Sequence, residues 1–204
     1  MALTFAQGFR AGTAACGIKA FTAGASAIPT GQRDDLCVVY SSNPCDTGGV
    51  FTTNKIKSAS VVIDQLHLQH NRVQALVIAS GNANACTGAQ GFKDALQMAK
   101  LTADRLDLDP DQVVVGTTGV IGRYLPMDAV KAGITAACGS LSPDHGIDAA
   151  RAIMTTDTVP KTAEMEIEID GRTVRVGGMC KGSGMIHPNM ATMLAYISDR
   201  KSVV

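Results

Sequence analysis

The residues of this chain best suited to chemistry lie in three places far apart in sequence. The stretch Gly177 to Ile197 carries one formal charge, Lys181, and sets the hydroxyl of Thr192 directly after the small Ala191. A mid-chain threonine ordinarily packs or caps. Its hydroxyl attacks a carbonyl only with a base beside it, and one economical base is the threonine's own α-amino group, which exists once the chain is cut before it. Gly116 to Gly122 supplies three glycines after the apolar Val113-Val114-Val115. Backbone N–H groups can converge there on an anion, or the turn is an ordinary tight connection. No Gly-Lys-Ser/Thr closes it, and in Lys181-Gly182-Ser183-Gly184 the lysine precedes the glycines, so neither stretch is a nucleotide-binding fingerprint. The third place, Thr155-Thr156-Asp157-Thr158, can cap a helix or meet a substrate, and capping is the default for Asp157. Of the histidines, His67, His70 and His145 are expected at the surface; His187 is a ligand, a base or a packed side chain.

Bulk composition narrows the partner. The chain has 204 residues, 46% hydrophobic, with 18 basic against 18 acidic side chains, 4% aromatics and no Trp. Such a length buries a useful core without disulfides or metals. A neutral balance with few rings disfavours a nucleic-acid surface and favours a small-molecule partner. The six cysteines have no C-x-x-C spacing, so they are expected to be free, buried thiols in a reducing compartment, with neither a metal site nor a disulfide framework. No stretch approaches a membrane span, and the N-terminus lacks a signal-peptide pattern; the expected location is cytoplasmic, or the mitochondrial matrix if a targeting segment was removed.

The elements that position these residues follow from local pattern. Leu36 to Ser41 reads as a strand followed by a loop through Asn43-Pro44, and Ala59 to Ile63 as a second strand from its partial alternation. Ala75 to Ala79 is a continuous apolar run, the mark of a central strand buried on both faces. A small-residue loop, Ser80 to Gly88, leads into a helix over Gly91 to Arg105; Val113 to Val115 is a short strand, and Met127 to Leu141 and Ile147 to Met154 are helices. Glu164 to Ile169 and Thr173 to Val176 flank Asp170-Gly171, the strongest hairpin signal in the chain. The Gly177 to Ile197 stretch is expected to be buried and tightly bent, because methionines, Ile186 and Leu194 are interleaved with its glycines. Mixed strands and helices without a repeat give an α/β or α+β class.

Several stretches jointly resemble the ornithine acetyltransferase family, the bifunctional glutamate N-acetyltransferase and amino-acid acetyltransferase of arginine biosynthesis. They are Gly48 to Asn54 (GGVFTTN), Ser80 to Gly88 (SGNANACTG), Thr117 to Gly122 (TTGVIG), Met154 to Lys161 (MTTDTVPK), and Lys181 to Ala195 (KGSGMIHPNMATMLA). The resemblance implies a layered α/β sandwich of the ornithine acetyltransferase type, incomplete without a second, beta chain. It divides the sequence into residues 1–191, like the first chain, and 192–204, the start of the second.

The same resemblance implies a precursor that cuts itself between Ala191 and Thr192, after which Thr192 carries acetyl from N-acetylornithine to glutamate. Thr118 and the Gly119 N–H would form the oxyanion hole; Thr155, Lys181 and Thr192 would meet substrate, with the ammonium suited to a carboxylate. No bound cofactor or metal is implied, acetyl-CoA being a co-substrate at most, and the partners are the small molecules and the second chain in a hetero-oligomer. The sequence departs from the family where only Thr192 to Val204 follow the nucleophile and where Ser198 to Val204 replaces the usual pattern. A fragment is therefore expected, and two other readings stay open: a related self-processing aminopeptidase or amidohydrolase, and an inactive truncated piece.

Overall fold

The computed structural model describes residues 1–22, 33–70, 72–185, 190 and 193–201. In chain order the regular elements are β1 (Phe9–Ala14), α1 (Ile18–Thr22), β2 (Leu36–Cys45), α2 (Ala59–His67), β3 (Val73–Asn82), α3 (Gly88–Leu106), β4 (Val113–Val120), α4 (Met127–Gly139), α5 (Gly146–Ala152), β5 (Lys161–Ile169), β6 (Arg172–Lys181) and β7 (Leu194–Lys201). Two sheets result. The first runs β1-β2-β3-β4, antiparallel except for the parallel β3–β4 pair; the second is the antiparallel meander β5-β6-β7.

Alternation along the first sheet sends side chains to two cores. Leu36, Val38, Val77, Ala79, Val113 and Val115 meet Met98 and Ala99 of α3 and Val130, Ile134 and Ala137 of α4. Cys37, Val39, Leu76 and Ile78 face the other way, onto Leu3, α5 and Met179 of the second sheet, with Leu194 and Tyr196 of β7 packed alongside. Helices, sheet, then α5 with the second sheet make a layered α/β architecture, and the unbroken apolar run of β3 is what burial on both faces demands.

The hairpin forms where the sequence places it: Asp170 and Gly171 hold φ of 51° and 70°, the paired positive values of a tight two-residue turn. The strand expected over Ala59 to Ile63 is instead the first part of α2. Ser58 caps it by accepting from the Val61 N–H, and Ser60, Ile63 and His67 are buried at helical spacing, so side-chain packing overrides the β-branched Val61-Val62-Ile63 run. The Asn43-Pro44 loop is a bulged end of β2, with Tyr40 opposite Ala75 and Cys45 already opposite Val73. Likewise Ser80, Gly81 and Asn82 extend β3.

α2 also closes the open edge of the first sheet. Three of its residues meet β4 in order: Ser60 Oγ lies 2.7 Å from Thr117 Oγ1, Asp64 Oδ1 accepts from the Val115 N–H at 2.7 Å, and His67 Nδ1 lies 2.7 Å from the Val113 carbonyl. A carbonyl only accepts, so the Nδ1 carries the proton. His67 is thus buried, against the surface position its polar neighbours imply. The cysteines are free thiols, but only Cys37 is fully buried and Cys86 is exposed.

Candidate active site

Thr118 lies at the C-terminal end of β4, opposite Ser80 in the parallel ladder. Alternation fixes its direction. Thr117 points to the helix side, where its hydroxyl donates to the Ala83 carbonyl at 2.9 Å, so Thr118 points into the layer between the two sheets. It is 2% exposed. Gly119 follows at φ +138°, beside a register shift at Gly81/Asn82. A Cβ here would stand 2.2 Å from the Gly81 carbonyl carbon, so the two backbones touch as only glycine allows. A bulge withdraws backbone groups from regular pairing. The turn that composition left as either anion cradle or plain connection is therefore a bulged strand end beside the buried residue Thr118.

Thr155 is brought to this end through α5. The Ala152 carbonyl, last in that helix, accepts from Ser80 Oγ at 2.5 Å and from Lys19 Nζ at 3.2 Å, which ties the start of the Met154 to Pro160 loop to the residue opposite Thr118. Thr155 itself is partly exposed. Burial holds the Lys19 amine below its ordinary pKa, with Asp35 opposing.

Lys181 ends β6 on the inward face of the second sheet and is 2% exposed. Its Nζ donates to the Gly182 carbonyl at 2.5 Å. Burial lowers its pKa, against the pull of Asp157, while Lys161 pushes it further down. Asp157 Oδ1 accepts from the Gly182 N–H at 2.8 Å and from Lys161 Nζ at 2.6 Å. The Thr155 to Thr158 loop thus runs from the Ser80–Thr118 end to the Lys181–Gly182 end. The sequence pointed to both ends and missed the tie, because the residues it joins are 25 apart.

Ala191, Thr192 and His187 lie outside the described residues. Around them the expected burial holds only in part. Met179 and Lys181 are buried, whereas Met185, Met190, Met193 and Ile197 are exposed. β7 is nonetheless held from its inner face. The Tyr196 hydroxyl sits 2.5 Å from where a Gly116 Cβ would be, and Ser198 Oγ donates to the Leu3 carbonyl at 2.5 Å. Burial raises the Tyr196 pKa well above its usual value. Among the described residues no group of His, Cys, Asp and Glu has the arrangement of a metal site.

A four-stranded sheet backed by helices on one side and by α5 with a three-stranded sheet on the other, with Thr118 and Lys181 turned into the layer between the sheets, is of the layered α/β class. The chain belongs to the ArgJ family, whose model matches residues 10–202. It is 49% identical over 201 residues to the arginine biosynthesis bifunctional protein ArgJ of Symbiobacterium thermophilum, covering 98% of this chain and 48% of that protein. The mitochondrial ArgJ of Heterostelium pallidum is 46% identical, with 98% and 44% covered. The chain thus spans about half the length of the curated relatives it matches.

Two solved structures share the fold. The Bacillus halodurans ArgJ superposes with a TM-score of 0.81 at 35% identity, covering 95% of each chain. The ornithine acetyltransferase of Mycobacterium tuberculosis, solved with ornithine, gives 0.77 at 37% identity, with 92% of this chain and 94% of that one covered.

Proposed function

We propose that this chain spans the first half of a self-cleaving acetyltransferase of arginine biosynthesis together with the start of its second, nucleophile-bearing chain. It is cut between Ala191 and Thr192. The freed Thr192 takes acetyl from N-acetylornithine through its hydroxyl, with its own amine as base, releases ornithine, and passes the acetyl group to glutamate. Thr118 and the Gly119 N–H stabilise the tetrahedral oxyanion, an effect of about 2.7–4 kcal/mol for one such donor. Thr155 and Lys181 bind the acetyl-amino acid, the ammonium against its carboxylate.

The observation that carries this reading is the placement of Thr118, a residue 2% exposed beside the glycine bulge and turned into the layer that Lys181 also faces. The coverage pattern supports it too. This chain covers nearly all of the two solved chains but under half of the curated full-length relatives, as expected if those relatives work as two chains. The remainder of the polypeptide then acts as the second, beta chain in a hetero-oligomer, and residues 192–204 are its beginning. No resident cofactor is required; acetyl-CoA is a co-substrate if the protein also starts the cycle. Among the described residues no helix is long and apolar enough to cross a membrane. A cytoplasmic or mitochondrial-matrix location is proposed with the activity.

Mass spectrometry of the full-length product tests the cut. The wild type is expected as two chains, the second beginning at Thr192, and Thr192→Ala as one. An intact wild type that still transfers acetyl would overturn the threonine mechanism. Radiolabelled acetyl on N-acetylornithine is expected in glutamate; its recovery as free acetate would mean a hydrolase instead.

A further inference from the structure

Asp157 is placed unlike a helix cap. Its side chain is 3% exposed, and one oxygen, Oδ1, accepts from both the Gly182 N–H and Lys161 Nζ. The other oxygen, Oδ2, is buried with no hydrogen-bond partner. A buried carboxylate oxygen without a donor is costly, so its retention calls for a compensating charge nearby. The charged groups facing Lys181 are Asp157, from the loop after α5, and Lys161, at the start of β5. Of these two Asp157 is the negative one, and Lys161 is about half-exposed, at 45%.

From this geometry we infer that Asp157 is a positioning residue for Lys181: it pins the peptide that follows Lys181 and supplies the negative charge against which the buried ammonium is held. Oδ1 does the pinning. It fixes the Gly182 peptide whose carbonyl, at the other end of the same residue, receives the Lys181 ammonium. The carboxylate as a whole supplies the charge, and Oδ2 is left without a hydrogen-bond donor. The space for this is built in, since a Cβ on Gly182 would come 3.3 Å from Oδ1. The consequence for substrate binding rests on the proposed role of Lys181; the contact itself does not.

The two functions separate by substitution in the full chain. Asp157→Asn keeps an acceptor for the Gly182 N–H and removes the charge, whereas Asp157→Ala removes both. Lysine side-chain NMR, with Lys181→Arg assigning the resonance, follows the Lys181 titration directly and needs no activity. Asp157→Asn is expected to move the midpoint down by about one pH unit or more, with Asp157→Glu recovering part of the shift. Asp157→Ala is expected to speed Gly182 amide exchange at least tenfold, and Asp157→Asn much less.

An unmoved Lys181 midpoint in folded Asp157→Asn would overturn the charge role, and unchanged Gly182 exchange in Asp157→Ala would overturn the pinning. Should both variants fail to fold, Asp157→Glu decides the matter, because it keeps the charge but displaces both carboxylate oxygens: Gly182 exchange is expected to quicken and the Lys181 midpoint to move down. Unchanged exchange and an unchanged midpoint in folded Asp157→Glu would sink the inference. If the full-length protein transfers acetyl, Asp157→Asn is also expected to raise KM for the amino-acid substrates several-fold more than it lowers kcat. A wild type without transfer activity would count against the proposed function and leave the NMR result standing.

Discussion

At residue scale, the groups proposed to act are held by neighbours that do no chemistry. Ser80 fixes the end of α5, Gly81 makes room for Gly119, and Thr117 ties the opposite face of β4 to Ser60 and Ala83. Thr118→Val is close to isosteric and removes only the hydroxyl. It is expected to leave the fold unchanged by circular dichroism while lowering kcat for acetyl transfer roughly 100- to 1,000-fold, the usual cost of one oxyanion donor. A kcat within a factor of three of wild type would remove Thr118 from the oxyanion hole. Gly119→Ala is the wrong probe, since it forces a side chain into the Gly81 backbone and tests folding instead. Composition alone could not single out Thr118 from Thr117, because the distinction depends on which face of β4 each side chain takes. The resemblance implies Thr118, and the strand register turns that residue toward the layer between the sheets. Asp157 reads from sequence as a cap by default or else a substrate contact, and its tie to Gly182 is hidden because the two are 25 residues apart.

At the scale of elements, the strands with unbroken apolar runs and the Asp-Gly hairpin could be read from pattern, since burial on both faces and a tight turn each leave a local signature. α2 could not. Val61, Val62 and Ile63 favour a strand, and what makes the segment a helix is its job of covering β4 with Ser60, Asp64 and His67. That job buries a carboxyl. Burial pushes Asp64 up to about 8, against the lowering effect of the Val115 N–H bond. Its folded pKa lies above the unfolded value, so its contribution to stability is complete below about pH 4 and is lost as pH rises through about 8. Over that window the loss is on the order of 1.4 kcal/mol per pH unit. Asp64→Asn keeps the acceptor for Val115 and cannot ionise. Urea unfolding at pH 5 and pH 8 should show wild-type stability falling between the two and the variant nearly level. A parallel fall in both proteins would place the titrating group elsewhere.

At the scale of the molecule, the second sheet has one face in the core and one turned outward, and the outward face is not that of a finished surface. Met165, Ile167 and Ile169 of β5 alternate onto it and are exposed, Met165 by 61%, and Ile197 of β7, in register beyond Gly178, is exposed by 78%. The glutamates between them, Glu164, Glu166 and Glu168, take the other side, where Glu166 meets Arg175 and Glu164 receives the Ala2 N–H. Every residue of β5 is exposed, so the apolar set Met165, Ile167 and Ile169 lies open together on one face, which a sheet finished for water would carry as polar groups. It fits a face covered by further polypeptide, and relatives about twice as long as this chain supply one under the proposed two-chain reading. Ile167→Asp places a charge on that face without entering either core. It should leave the melting temperature of the 204-residue chain within about 2 °C, because exposed substitutions rarely move stability much. In the full-length protein it should lower the amount of second chain that co-purifies after cleavage. Equal recovery of the second chain from Ile167→Asp and wild type would show that the outward face is not where the two halves meet, and the exposed β5 side chains would then need another cover.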